Sequence, residues 1–367
     1  MRHDVPGCGD KGDEMTQEKV LMKGNEALAE AAIAAGCRHF FGYPITPQNE
    51  IPAYMSKRMP KIGGVYLQAE SEVAAINMVL GAAAAGARAM TSSSSPGISL
   101  KSEGISYLAG SDLPALIVNV QRAGPGLGGI QPSQADYWQA TRSTGHGDFH
   151  ILVLAPSTVQ EMIDLVSTAF DLGDKYRMPT MILLDGMLGQ MMEPAVLPKA
   201  EDKKPPEKPW ALSTGRKGKR NVINSLYIMP PDLEALVRAR FKKYEEIKVN
   251  EQRAEEYLTD DADIVLVAYG ASSRVSRSAV DMARKQGIKA GLIRPITLWP
   301  FPDRCIEKAS KKAKSFLCVE MSMGQMVDDV RLAVNGKRPV HFYGRTGGVI
   351  PSPKEVFDEI KKLEGKK

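Results

Sequence analysis

Blocks of apolar residues alternate with helix-like segments from Leu21 onward. An alanine-rich helix is predicted to open at Gly24 and to end at Gly36. Strands that alternate with helices are typical of a parallel sheet whose strands are joined by crossover helices. The apolar blocks predict six strands of a first sheet: 37–43, 64–68, 88–91, 114–121, 149–154 and 178–184.

Two features of this first region refine the picture. The run 114–121 is almost continuously apolar, which is typical of a central strand covered on both faces. The segment Ser157-Thr-Val-Gln160 has the spacing of a capping box, so a helix is predicted to begin there. Both features favour a doubly wound α/β domain.

The composition changes abruptly at Pro198, where a charged, proline-rich connector begins. The segment 232–258 is highly charged and helix-prone, and we interpret it as a bridging arm on the surface. A second, smaller α/β unit follows, with strands predicted at 263–269, 290–293, 315–320 and 340–343. The predicted organisation is a disordered leader at 1–20, a first domain at 21–197, a charged linker and arm at 198–262, and a second domain at 263–367.

Composition excludes several classes of protein. The chain has 367 residues, is 43% apolar and carries a net charge of only +5, so charge alone gives no reason to expect nucleic-acid binding. No two of its five histidines share metal-ligand spacing on a helix, and its four cysteines are isolated, so neither a metal site nor an iron–sulfur cluster is expected in this chain. The longest uncharged apolar stretch, 73–87, is too short to cross a bilayer. The sequence contains no signal-peptide pattern, and we expect a cytoplasmic protein.

The segment Gly42-Tyr-Pro-Ile-Thr-Pro-Gln48 is the first candidate site. It follows a predicted strand and places the hydroxyl of Thr46 between two prolines, which stiffen the turn. A surface turn is the alternative interpretation of such a segment. Other polar residues that follow neighbouring strands favour a site, because ligands of open parallel sheets bind at the carboxyl ends of the strands.

Glu72 is the second candidate. It begins a helix and is followed by fifteen uncharged residues. A carboxyl held against apolar surface resists ionisation and can share a proton at neutral pH, although a helix N-terminus favours the anion. An ordinary acid in the first helical turn, like Glu70, is the alternative interpretation.

Two further features follow predicted strands. Arg122 precedes the glycine-rich loop 123–129, and its guanidinium could bind a carboxylate as a bidentate fork, a surface salt bridge being the alternative. The serine run Ser92–Ser95 lies between a strand and a helix, where amides and hydroxyls could contact an anion or a polar ligand. The basic group at 216–220 is interpreted as a solvated linker.

Taken together, several motifs resemble those of the alpha subunit of 2-oxoacid:ferredoxin oxidoreductases. They are Gly24-Asn-Glu-Ala27, Tyr43-Pro-Ile-Thr-Pro47, Ser71-Glu72 and the strand end Val-Asn-Val-Gln-Arg122. The loop 124–136 and Gln48-Asn49 look most similar to the branched-chain type, which acts on 2-oxoisovalerate.

This resemblance implies a fold and a cofactor. The first domain would bind the aminopyrimidine of thiamine diphosphate, and the second would be similar to the transketolase C-terminal domain. Glu72 would be the catalytic residue and hydrogen-bond the pyrimidine ring, with Tyr43, Pro44, Ile45 and Ser94 also contacting the cofactor. Thr46 and Arg122 would bind the 2-oxoacid substrate.

The resemblance also implies partners. The chain lacks a Gly-Asp-Gly motif with a downstream asparagine, so the diphosphate and Mg²⁺ would be held by a beta subunit. A gamma subunit and a ferredoxin-like delta subunit with [4Fe-4S] clusters would complete a hetero-oligomer, expected as a dimer of protomers. The complex would convert 2-oxoacids and coenzyme A to acyl-CoA, reduce an external ferredoxin, and be inactive without these partners.

Other functions remain open from the sequence. The substrate could be pyruvate or 2-oxoglutarate, because a single methylene changes discrimination by only about 1–3 kcal/mol. A non-oxidative thiamine-dependent decarboxylase or a transketolase-like component would share the pyrimidine domain without needing ferredoxin. A non-catalytic scaffold that retains the fold is the hypothesis from another class.

Overall fold

The structure is a computed structural model that describes residues 18–142, 145–198, 205–214 and 220–365. The predicted leader up to residue 17 and the basic residues 216–219 lie outside these ranges. The described part of the chain folds into two mixed, mainly parallel sheets with helices packed on them, and a short two-stranded ribbon.

The first half of the chain alternates strands and helices, as the apolar blocks predict. Its elements are β1 (Val20–Lys23), α1 (Gly24–Ala34), β2 (His39–Gly42), α2 (Glu50–Arg58), β3 (Val65–Gln68), α3 (Glu72–Ala84), β4 (Ala89–Ser93), α4 (Ser95–Gly110), β5 (Leu116–Gln121), α5 (Tyr137–Thr141), β6 (Leu152–Leu154), α6 (Val159–Tyr176), β7 (Thr180–Asp185), α7 (Gly186–Gln190) and β8 (Met192–Ala195). A 3₁₀ helix, Met59–Ile62, precedes β3.

The second half begins with a long helix and continues with the second sheet. Its elements are α8 (Pro230–Asn250), β9 (Ala254–Tyr257), β10 (Ile264–Val267), α9 (Gly270–Lys285), β11 (Ala290–Pro295), β12 (Thr297–Trp299), α10 (Asp303–Ser310), β13 (Ser315–Glu320), α11 (Met326–Val334), β14 (Val340–Gly344) and α12 (Pro353–Glu364). A 3₁₀ turn, Leu212–Thr214, lies before α8.

The strand order explains which segments lie together. The large sheet has the order β12-β6-β7-β5-β4-β2-β3, and the smaller one β14-β13-β10-β11-β9. All six strands predicted for the first sheet are present and pair in parallel. The predicted central strand is β5, which is fully buried between β4 and β7. Two apolar clusters cover the two faces of this sheet.

Three predictions about local structure were wrong. Thr297–Trp299, which lies outside the strands predicted for the second unit, is a strand that pairs antiparallel with β6 and so joins the large sheet. Residues 254–257, predicted as the end of a helical arm, form β9 at the edge of the smaller sheet, antiparallel to β11. The cap of α6 lies one residue later than predicted, since the Thr158 side chain accepts from the Glu161 amide, while Glu161 accepts from the Ser157 amide at 2.7 Å.

Helix α8 is packed on the protein through an aromatic cluster, which the interpretation as a surface arm missed. Tyr244 is 1% exposed, and its ring meets the rings of His150 and Trp299 edge-on at 5.4 Å. Burial among these rings lowers the pKa of His150 to about 4. The highly charged sequence of α8 describes its outer face, while every third or fourth residue turns inward.

Two buried polar side chains join the two sheets near the ends of their strands. Gln134 donates to the Tyr269 carbonyl at 2.8 Å and accepts from the Met321 amide at 3.0 Å. Asp185, at the end of β7, accepts from the amides of Leu188 and Ala271, each at 3.1 Å. Burial raises the pKa of Asp185, and these backbone donors oppose the rise. The loop before α5 and the start of α9 are therefore held in fixed positions beside the large sheet.

No helix among the described residues is long and apolar enough to span a bilayer.

Candidate active site

The point where the chain reverses its direction across the large sheet lies between β2 and β4. After β2 the chain crosses outward to β3, whereas after β4 it crosses the other way to β5. The carboxyl ends of such a pair of strands form a crevice in which α/β proteins bind ligands. The turn 43–48 and the serine run at 92–95 leave these two strands at that crevice.

The turn 43–48 is anchored by a buried glutamine, and part of it is exposed to solvent. Gln48 is fully buried, donates to the Tyr43 carbonyl at 3.1 Å and accepts from the Ser92 hydroxyl. Tyr43 and Ile45 are half-buried, while Pro44 and Thr46 are exposed. The predicted substrate and cofactor residues of this turn therefore lie at the mouth of the crevice. The side chain of Gln48 holds the backbone of the turn in place.

Glu72 is the first residue of α3 and is buried at the crevice. The hydroxyl of Ser71 caps the helix by accepting from the Ala74 amide at 3.2 Å, and Glu72 itself is only 6% exposed. Its carboxyl packs against Gly97, where an added methyl carbon would lie 2.7 Å from Oε1. The site thus contains a buried carboxyl held against a glycine of α4.

The contact between α3 and α4 depends on two glycines one heptad apart. Gly97 faces Glu72, and Gly104 faces Ile76 four residues further along α3. Between the two glycines, on the same face of α4, lies Lys101, which is fully buried and donates from Nζ to the Ser92 carbonyl at 3.1 Å. Burial lowers the pKa of Lys101 to about 7, and the negative charge of Glu72 opposes this shift.

Lys101 was missed by the sequence analysis. The signal that could have identified it is its position three residues after Ile98 and four before Ile105, on the buried stripe of α4. A lysine on an apolar stripe is unusual, because buried lysines need a compensating interaction.

The serine run contributes differently at each position. Ser92 bonds to Gln48, whereas the hydroxyls of Ser93 and Ser94 are buried and, within the part of the chain that the structure describes, have no hydrogen-bond partner. Ser94 is also the residue before the first turn of α4. Buried hydroxyls without partners are costly, so they mark a place where a ligand can supply the missing bond.

Ser95 belongs to a separate polar cluster with Asp136. Its hydroxyl donates to Asp136 Oδ2 at 2.6 Å, and Asn119 Nδ2 donates to the same oxygen at 2.9 Å. Burial raises the pKa of Asp136, and these two donors lower it. The Ser95 hydroxyl also accepts from the Arg122 amide at 3.0 Å, so the cluster fixes the start of the Arg122 loop.

The structure brings Arg122 and Thr46 together. Arg122 is 7% exposed, and its guanidinium donates to the Thr46 carbonyl at 3.1 Å and to the Leu127 carbonyl at 3.0 Å. Its Nε–H is buried and has no partner among the described residues. Among the described residues Arg122 forms no ion pair, but its charge acts on the buried carboxyl of Asp136, where it opposes the rise in pKa that burial causes.

A cavity of about 620 Å³ lies beside Thr46. Its walls are mostly apolar and come from the ends of β2, β5 and β7 and from the segment before α12. They are formed by Thr46, Pro47, Glu50, Ile130, Gln131, Pro132, Gly186, Met187, Gln190, Met191 and Ile350. The cavity has the size and character of a site for a small organic molecule.

These features define a class of protein before any relative is considered: a doubly wound α/β protein with a buried carboxyl, Glu72, and a buried guanidinium, Arg122, at the crevice of its larger sheet. A family model described as pyruvate flavodoxin/ferredoxin oxidoreductase, thiamine diphosphate-binding, matches residues 30–259. The model for core domain II of pyruvate:ferredoxin oxidoreductase matches residues 262–356. The chain belongs to the 2-oxoacid:ferredoxin oxidoreductase family, as its motifs predicted.

Individual relatives agree with this family. The ketoisovalerate oxidoreductase subunit VorB of Methanothermobacter thermautotrophicus is 51% identical over 94% of this chain and 98% of its own length. The 2-oxoglutarate synthase subunit KorA of Methanothermobacter marburgensis is 37% identical over 94% of this chain and 98% of its own. These relatives are named as subunits, so the chain is one subunit of an oxidoreductase.

A solved structure supports the predicted fold. The 2-oxoglutarate:ferredoxin oxidoreductase of Magnetococcus marinus matches with a TM-score of 0.86 and 28% identity, over 94% of this chain. This chain spans 65% of the length of that solved chain. The predicted thiamine diphosphate-binding α/β fold is thereby confirmed.

The close contact at Gly97 leads to a first prediction. In the variant Gly97→Ala, the added methyl carbon would overlap Ser93 Oγ and lie 2.7 Å from Glu72 Oε1. Both side chains must therefore shift, and we expect activity of the reconstituted complex to fall about tenfold or more. The control is Gly81→Ala, because Gly81 in α3 has open space around it and alanine stabilises a helix by about 0.5–1 kcal/mol. Steady-state rates and thermal unfolding of both variants test this, and an unchanged rate for Gly97→Ala would contradict it.

Proposed function

We propose that this chain is the alpha subunit of a complex that oxidatively decarboxylates branched-chain 2-oxoacids, with 2-oxoisovalerate as the preferred substrate, to acyl-CoA while reducing ferredoxin. The observation that carries the proposal is the buried Glu72 at the crevice, together with Arg122, which is bonded to the carbonyl of Thr46, and Thr46, which lines the cavity. The relative that shares 51% identity is a ketoisovalerate oxidoreductase subunit, which supports the choice of substrate.

The residues present fit the aminopyrimidine of thiamine diphosphate. That ring presents both donors and acceptors, and Ser93, Ser94 and the Glu72 carboxyl are the buried polar groups available to it. When bound, the cofactor supplies a nucleophilic carbon and an electron sink for decarboxylation. Glu72 would bind the ring and hold a proton at its carboxyl, away from water, while Tyr43, Pro44 and Ile45 would line the approach to the ring.

Arg122 and Thr46 would bind the 2-oxoacid. A carboxylate on Arg122 would occupy the buried Nε–H, and the two existing bonds to backbone carbonyls hold the guanidinium in place before substrate arrives. Because the same guanidinium binds the Thr46 carbonyl, the backbone of Thr46 is held beside Arg122, and its hydroxyl would contact a substrate bound there. Preorganised donors of this kind lose little entropy when the substrate binds.

The cavity beside Thr46 favours an apolar substrate side chain. Ile130, Met187, Met191 and Ile350 form apolar walls, to which a branched alkyl group could bind by burial. The cavity also contains Glu50, whose pKa is lowered because hydrogen bonds from Asn25 and other donors outweigh its burial. Glu50 pairs with Lys23 at 3.6 Å, so it would repel a second carboxylate, as in 2-oxoglutarate, only in part.

A partner subunit would complete the site. Next to Glu72 the chain exposes apolar side chains on the edge strand β3 and on the outer faces of α3 and α4: Val65, Leu67, Val73 and Leu100. An exposed edge strand with apolar side chains is usually covered in a native assembly. A beta subunit seated there would hold the diphosphate and Mg²⁺ of the cofactor.

The remaining cofactors would belong to other subunits. Among the described residues, no group of three or more His, Cys, Asp or Glu side chains could hold a metal ion. Gamma and delta subunits, the latter carrying [4Fe-4S] clusters, would pass electrons to ferredoxin, and coenzyme A would accept the acyl group. The complex would be a cytoplasmic hetero-oligomer, expected as a dimer of protomers.

Co-purification of the complex and an assay of coenzyme A-dependent viologen reduction test this proposal. We expect kcat/KM for 2-oxoisovalerate to exceed the values for pyruvate and 2-oxoglutarate by about tenfold or more, since one methylene contributes about 1–3 kcal/mol. The isolated chain should give no turnover. Equal rates with the three 2-oxoacids, or turnover by the isolated chain, would contradict the proposal.

A further inference from the structure

The fully buried amine of Lys101 is not used by the function proposed above. Lys101 lies on the face of α4 that packs on α3, four residues after Gly97 and three before Gly104. Because both glycines touch α3, at Glu72 and at Ile76, the lysine between them lies at the contact of the two helices, where the charge of Glu72 acts on it. The Nζ donates to the Ser92 carbonyl, directly before the two partnerless hydroxyls of the serine run.

The charged surroundings of Lys101 are simple. Among the described residues, Glu72 of α3 is the group whose charge acts on Nζ, and β4 contributes the backbone carbonyl of Ser92. The next carboxyl, Asp136 before α5, is bonded to Ser95 and Asn119. The charge of Lys101 therefore acts chiefly on the carboxyl of Glu72.

A buried lysine of this kind is unfavourable for folding. It makes one hydrogen bond, to a neutral carbonyl, and no ion pair within 4 Å is recorded for it in the described part of the chain. A methionine would fill the same volume without the desolvation cost of an amine. Groups that are kept at a cost to stability are concentrated at functional sites.

We propose that Lys101 is a positioning residue for Glu72, whose buried amine controls the charge of the cofactor-binding carboxyl and extends the reaction to lower pH. This inference rests on the proposed function, because it takes Glu72 as the residue that binds the pyrimidine ring. The amine never touches the cofactor or the substrate and acts only through Glu72.

The direction of the effect follows from the protonation of the amine. Burial lowers the pKa of Lys101 to about 7, so the amine gains its positive charge as the pH falls through neutrality. A positive charge near Glu72 opposes the binding of a further proton there, and it does so increasingly as the pH falls. Without it, the pocket gains an inactivating proton at a higher pH.

The variant Lys101→Met tests this in the reconstituted complex. We expect the acid limb of the kcat/KM profile to move up by about one pH unit, the typical effect of one nearby charge. The rate at pH 8.5, where the wild-type amine is mostly neutral, should change less than twofold. Lys101→Gln, which also lacks the charge, should show the same shift and serves if the methionine variant assembles poorly.

Lys208→Met is the matched control. Lys208 is 6% exposed and pairs with Asp174 at 2.7 Å. Arg88, which pairs with the same aspartate, precedes β4, so this cluster lies at the end of the strands opposite to the crevice. Burial also lowers the pKa of Lys208, so the control removes a comparable buried amine far from Glu72. The dependence of kcat/KM on pH should be the same for this variant as for the wild type.

A double-mutant cycle on thermal unfolding measures the interaction without any assay of activity. At pH 6.5, Lys101→Met should raise the Tm of the complex more in the Glu72→Gln background than in the wild-type background, because Glu72 no longer attracts the amine. The gain in Tm should also shrink from pH 7 to pH 10. Over this range the unfolded chain still binds the proton that the folded amine has released, so wild-type stability rises with pH. Lys208→Met combined with Glu72→Gln should be additive.

The outcomes separate this inference from the proposed function. If Glu72→Gln keeps full activity, the proposed function fails. If Glu72→Gln is inactive but the Lys101→Met profile matches the wild type, or the cycle is additive, only the role of Lys101 is overturned. A shifted acid limb together with a non-additive cycle supports both.

Discussion

The variant Glu72→Gln is expected to lower kcat of the reconstituted complex by about 10²-fold or more. Glutamine keeps the size of the side chain and its place beside Gly97, but it cannot hold a proton that moves to and from the cofactor ring. Proton transfer by a positioned group contributes about 10²–10⁴-fold to a rate, so the loss falls on kcat rather than on KM. Steady-state viologen reduction with saturating 2-oxoacid and coenzyme A measures it.

Glu70→Gln is the matched control for this prediction. Glu70 lies two residues earlier in the chain and is exposed. Its replacement by glutamine removes the same charge without touching the crevice. We expect its kcat to stay within about twofold of the wild type, in line with the small effects of exposed substitutions. Full activity of Glu72→Gln would instead favour a non-catalytic scaffold, and an equal loss in both variants would indicate a general effect of charge.

The strands of the first sheet could be predicted because burial on both faces leaves a simple pattern. β5 and β7 are buried along their whole length, and such strands have continuous apolar sequences bounded by turns. Crossover connections then require the polar residues after each strand to lie at one edge. That rule, rather than any single motif, was enough to bring Thr46, Glu72 and Arg122 to neighbouring strand ends.

The strands that the sequence did not predict are short or charged. β12 has only three residues between prolines, and its pairing with β6 depends on residues about 145 positions earlier in the chain. β9 reads Ala-Glu-Glu-Tyr, and its acids look helical until their partners are known, since Glu255 pairs with Arg294 of β11 at 2.8 Å. Whether a segment forms an edge strand depends on such long-range contacts, which cannot be predicted from the local sequence pattern.

The site could be predicted only in part for a similar reason. Residues at strand ends follow from the alternation of elements, but Lys101 lies in the middle of a helix, where its role depends on which helix packs against it. The contact with α3 is made possible by Gly97 and Gly104, and two glycines in a sequence do not identify their partner. The pairing of Arg122 with a backbone carbonyl, rather than with a carboxylate, was likewise not visible before the fold was known.

The second large effect is expected for Arg122→Lys. Lysine keeps the charge but cannot donate to both the Thr46 and Leu127 carbonyls and to a substrate carboxylate in one plane. Hydrogen bonds to charged groups contribute about 1.5–3 kcal/mol each, so we expect kcat/KM for the 2-oxoacid to fall by about 10²-fold. Most of the change should appear in KM, measured with 2-oxoisovalerate, while the affinity for thiamine diphosphate measured by calorimetry stays the same.

Arg38→Lys is the control because Arg38 has the same kind of bonding at the other end of the sheet. Its guanidinium donates to the carbonyls of Ile33 and Cys37, before the start of β2 and away from the crevice. Its loss should affect stability alone and leave KM unchanged. If Arg122→Lys weakens cofactor binding and leaves the KM for 2-oxoisovalerate unaltered, the guanidinium serves the cofactor instead. The substrate carboxylate must then be bound by another group.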